Sequence, residues 1–112
     1  MADLAAVEAR LEQILDPYRD RLEPATIYSI PTLRRAGAKA HDWFAFVKPA
    51  SKHVGFFLMP MVTWPELLDG CSPALLARRQ AKTAFAFPTT DEALFADLEA
   101  LVARAYERYV AG

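Results

Sequence analysis

The chain has 112 residues, a formal net charge of −1 and 54% hydrophobic residues, which is close to the commonest size of one domain and excludes disorder, so one domain over residues 1–112 is expected. The single cysteine, Cys71, excludes an internal disulfide and a two-cysteine metal motif. The start Met1-Ala2-Asp3-Leu4 lacks the regions of a signal peptide, and no apolar run approaches the roughly 20 residues of a membrane span, so no membrane partner and a cytoplasmic location are expected.

Leu4, Val7, Leu11, Ile14, Leu15, Tyr18 and Leu22 recur at helical spacing and predict a first helix. Pro17 would clash inside it, whereas Asp16-Pro17 suits a fresh helix start. The expectation is a helix over residues 4–15, a kink or break, and a turn or two to about Leu22. Residues 25–30 and 32–35 read as short strands, with a tight turn at Ala36-Gly37-Ala38. Residues 41–48 and 53–59 are aromatic-rich strands around a Pro49-Ala50-Ser51 turn, and together these strands read as an antiparallel meander. Thr63 and Glu66 have capping-box spacing and open a short helical stretch that Gly70 stops; Ser72-Pro73 opens another turn. Residues 82–87 form the last strand before Pro88. Thr89 and Glu92 repeat the capping-box spacing, and Leu94, Leu98, Leu101, Val102, Ala105, Tyr106 and Tyr109 make the stripe of a final helix. The expected fold class is therefore α+β: a single antiparallel sheet of about four or five strands packed against N- and C-terminal helices, with a short helical segment before the last strand.

Two helices cover one face of such a sheet, so the other face should be polar. The strands do not alternate that way. Trp43, Ala45 and Val47 oppose Phe44 and Phe46; Val54, Phe56 and Leu58 oppose Gly55, Phe57 and Met59. Either residues 63–80 fold over the second face, or an apolar surface is left for self-association or ligand binding. Charge is uneven as well. Residues 34–82 hold eight basic and three acidic side chains, while both ends are acidic. A basic sheet and acidic helices suit an acidic partner, or a homodimer pairing helix layer to sheet. The slightly negative total and the lack of an RNA-binding signature argue against nucleic acid.

Three segments carry a family resemblance. Ser51-Lys52-His53-Val54-Gly55-Phe56-Phe57-Leu58-Met59-Pro60 resembles a strand of the YdhG-like family of domains of unknown function. Gln80-Ala81-Lys82-Thr83-Ala84-Phe85-Ala86-Phe87 is similar to that family's glycine-lysine strand, with Ala81 in place of the glycine. Ile27-Tyr28-Ser29-Ile30-Pro31-Thr32-Leu33 resembles its methionine-proline strand-turn, with Ile30 in place of methionine. The resemblance spans about Leu11 to Tyr109. It implies a layered domain similar in outline to frataxin, and some members are described as iron chaperones.

The leading expectation is a non-catalytic binding or interaction domain without a cofactor, taking a small ligand or a protein partner. Its surface would centre on Trp43, Phe44, Phe46, Phe57 and Trp64, with Lys48, Lys52 and Lys82 as the rim and His53 beside it. The alternative is a frataxin-like iron-binding chaperone whose cofactor would sit on Glu8, Glu12, Asp16 and Asp20, four-residue steps along the first helix. His41, His53 and Cys71 lie on three separate elements with no close ligand pair. A third reading, a small enzyme acting through His53 and Lys52, has little to support it. His41 and Asp42 are adjacent and diverge in a strand, Ser51 and Ser72 lack a nucleophile-elbow context, and no glycine-rich phosphate loop exists.

Overall fold

In the computed structural model, which describes residues 4–27, 30–34 and 43–111, the first helix runs unbroken through its proline. Helix α1 (Leu4–Arg19) buries Val7, Leu11, Ile14, Leu15 and Tyr18, the stripe expected from spacing. Pro17 lies in the last turn, and the residue after it decides the outcome. Tyr18 packs against Phe44 and Tyr106, with ring centres 5.7 and 5.0 Å apart, and this contact holds the turn in register past the expected break.

Among the described residues, six strands form one antiparallel sheet: β1 (Glu23–Ile27), β2 (Ile30–Arg34), β3 (Ala45–Pro49), β4 (Val54–Leu58), β5 (Arg79–Ala81) and β6 (Ala84–Phe87), in the order β1-β2-β3-β4-β6-β5. The fold is thus α+β, with six described strands where about four or five were expected. Among the described residues β1 is an edge strand, where Pro24 is tolerated because its outer side has no ladder bond to lose. At the opposite edge, β5 is short and irregular: Arg79 pairs with Phe85 and Ala81 with Ala84, so Gln80 is an extra residue. The expected turn at Ala36-Gly37-Ala38, with Arg35, Lys39, His41 and Asp42, lies outside the described residues.

Helix α4 (Glu92–Ala111) starts two residues later than its capping-box expectation. The Asp91 carboxylate, not Thr89, accepts the Leu94 N–H, at 3.3 Å. Its buried stripe includes the expected leucines and also Phe95. α1 and α4 cover one face of the sheet, where Ala45, Val47, Val54, Phe56, Leu58, Phe85 and Phe87 meet them in the core. Arg10 of α1 clamps the two helices by donating to Glu92 at 3.1 Å and to Glu99 at 2.6 Å. None of the described helices is long and apolar enough to cross a membrane.

The segment between β4 and β5 comprises α2 (Pro60–Thr63), a 3₁₀ turn (Pro65–Gly70) and α3 (Pro73–Leu76). It does not cover the second sheet face. Met61, Leu67 and Leu75 join the core on the helix side, and the segment is fastened along α4. Arg104 donates to the Leu67 carbonyl at 3.3 Å, the Arg108 guanidinium lies 4.9 Å from the Trp64 ring centre, and Asp97 accepts the Ser72 N–H at 2.8 Å. Thr63 ends α2 and makes no capping box with Glu66, because Pro60 has already started the helix three residues earlier.

Candidate functional site

The aromatic surface expected on the second sheet face is dispersed by the fold. Phe44 precedes β3, so the strand's alternation does not reach it. Its N–H donates to the Leu33 carbonyl at 2.7 Å, and its ring is fully buried among Tyr18, Tyr106 and Tyr109 on the helix side. Trp64 also lies on the helix side, half-buried under Arg108. Phe46 and Phe57 do share the second face, as opposed residues of β3 and β4 stacked 4.5 Å apart at 6°. Phe46 is only 5% exposed, however, so it is a packed residue and not a ligand-facing one. Phe57 and Trp43 are half-buried, and Lys48 is exposed.

The three lysines do not form one rim. Lys52 and His53 belong to the β3–β4 turn, where the His53 carbonyl accepts the Ala50 N–H at 2.8 Å. Lys82 belongs to the β5–β6 turn. Val54 opposes Phe87 and Phe57 opposes Ala84, so these turns sit at opposite ends of the sheet, about 13 Å apart along the strands.

Lys82 instead joins a site that the sequence did not suggest. β4 leaves the sheet into α2 at the same end where β5 turns into β6, and the Leu58 N–H donates to the Thr83 carbonyl at 2.8 Å. Between α2 and the β5 edge lies an open groove of about 530 Å³, lined by Met61, Val62, Pro65, Arg79, Gln80, Ala81 and Lys82. Met61 anchors its floor from the core, and Val62 is 46% exposed at its wall. Arg79 donates to the Lys82 carbonyl at 3.1 Å, which steadies the guanidinium and leaves further donors. Among the described residues, the lining offers a guanidinium, an ammonium, an amide and methyl groups, with no carboxylate, imidazole or thiol. Such a set attracts and orients an anion with an apolar part; it holds no group suited to passing protons near neutrality.

Along the acidic ridge of α1, Arg19 takes the central positions. Its Nε donates to Asp16 at 2.8 Å and its other nitrogen to the Glu12 carboxylate. Glu8 stands one turn earlier and Asp20 beyond the helix end. Among the described residues no three Asp, Glu, His or Cys side chains are grouped as ligands of a metal ion. Cys71 is half-buried; burial pushes its thiol up, and Arg104, 3.7 Å from Sγ, pulls the other way more weakly.

No family model, no curated protein and no solved structure matches this chain. The groove is therefore read from its own chemistry. Of its lining, only Lys82 stood among the expected site residues. The signal available in the sequence was a charge pattern: residues 70–90 contain Arg78, Arg79 and Lys82 and no acidic residue, beside the apolar Met61-Val62 step.

Proposed function

We propose that the chain is a non-catalytic binding domain of YdhG-like type whose working surface is the groove beside β5, and that this groove takes anions with an apolar portion. One observation carries the reading: two cations and an exposed valine converge on an open volume of about 530 Å³ whose lining, among the described residues, has no negative charge. A carboxylate, sulfonate or phosphate would meet the Arg79 fork and the Lys82 ammonium, while its apolar part would lie on Val62 and Met61. The probe is anilinonaphthalene sulfonate, titrated into the ¹⁵N-labelled protein and followed by amide NMR. Saturable shifts centred on residues 61–65 and 79–82, lost in Lys82→Glu, are expected. Shifts centred elsewhere, or binding that never saturates, would sink the proposal.

A further inference from the structure

The groove is bounded on one side by a strand that ends the sheet, and this narrows what it takes. β5 pairs with β6 on its inner side; among the described residues no strand lies on its outer side. All three of its residues are exposed. An edge strand is a template for another extended chain, and a chain laid there would place alternate side chains into the groove and out to solvent. The groove's cations decide the charge of that chain. A second copy entering edge to edge would bring Arg79 and Lys82 against themselves, which is unfavourable. A strand with carboxylates at alternate, groove-facing positions meets them with opposite charge.

Resting on the groove reading above, we propose that the occupant is an extended, acidic segment of a partner protein, which adds to the sheet beside β5. The backbone of the incoming segment supplies ladder bonds, and its carboxylates supply selectivity. Charged residues also protect edge strands from unwanted pairing, and the two roles agree: Arg79 and Lys82 repel basic edges and admit acidic ones.

The test uses the ¹⁵N-labelled full chain and three probes: a short blocked peptide alternating glutamate and valine, the same peptide N-methylated at alternate residues, and anilinonaphthalene sulfonate. The plain peptide is expected to shift the amides of Arg79–Ala81 and to give Hα–Hα Overhauser contacts with that strand. N-methylation should abolish this, since it removes ladder donors. Arg79→Glu/Lys82→Glu should weaken binding by about tenfold or more, with the amide spectrum otherwise kept. Equal binding of the plain and methylated peptides overturns strand addition. Binding of the sulfonate without the peptide overturns the peptide occupant and leaves the groove reading standing. Binding of neither removes both.

Discussion

Ser72 shows how much one small side chain can organise here. It is the N-cap of α3, accepting the Leu75 N–H at 3.2 Å, and its own N–H and hydroxyl go to Asp97 of α4. Those bonds hold the Asp97 carboxyl below the usual aspartate range, with the hydroxyl first in effect and the N–H second. The folded state therefore binds this proton more weakly than the unfolded chain does. Its stabilisation is present above the ordinary aspartate range and is lost as pH falls through and below it. Ser72→Ala should cost about 1 kcal/mol in urea unfolding at neutral pH, a typical loss for a cap. Asp97→Asn should cost about the same there, and its deficit relative to the wild type should shrink in acid. A deficit independent of pH would show that Asp97 acts through shape alone. One residue away, Cys71 has its thiol pushed up by burial. Its alkylation by iodoacetamide should be slower than that of free cysteine at pH 8, and faster labelling would mean that Arg104 outweighs burial.

Gly55 sits opposite Lys48 on β3 and two residues from Phe57 on the same face of β4. A Cβ at this position would lie 2.9 Å from Phe57 Cε1 and 3.4 Å from the Lys48 carbonyl oxygen. The glycine thus lets the Phe57 ring lie along its own strand and stack on Phe46. Gly55→Ala should destabilise by about 1–2 kcal/mol in the wild type, as overpacking does. In a Phe57→Ala background the same change should be neutral or stabilising, because alanine is the better strand residue once the ring is gone. A double-mutant cycle with additive effects would refute this coupling. The elements themselves were largely legible in the sequence. Helix stripes and turn-separated strands need only local spacing, and these placed α1, α4, β3, β4 and β6. What local spacing could not provide was the side of the sheet. Phe44 and Trp64 read as surface aromatics beside Phe57, yet the helix layer takes both, through Tyr106 and Tyr109 in one case and Arg108 in the other. β5 escaped notice because the three residues Arg79, Gln80 and Ala81 carry no strand pattern, and the groove is formed by two segments joined only by the fold.

At the scale of the molecule, acidic and basic groups are sorted. The ends that become α1 and α4 carry the excess of carboxylates, while residues 70–90 carry three cations and no acid. This sorting gives the β5 edge a sign, and a sign can be exchanged. In the wild type, two β5 edges brought together would oppose Arg79 and Lys82 with their own copies. In Arg79→Glu/Lys82→Glu, two reversed edges would repel equally. A mixture of the two proteins removes both repulsions and supplies an acidic strand of the right shape to a basic one. Sedimentation velocity of the equimolar mixture should therefore show a species of twice the chain's mass that neither protein forms by this edge alone. Raising salt toward 1 M, where screening acts within about 3 Å, should disperse it, because the attraction lies between exposed charges. If instead the wild type alone pairs through β5, the cations are not selective and an acidic partner loses its warrant. If the mixture stays monomeric while both proteins keep their native amide spectra, the edge does not accept a strand of either sign.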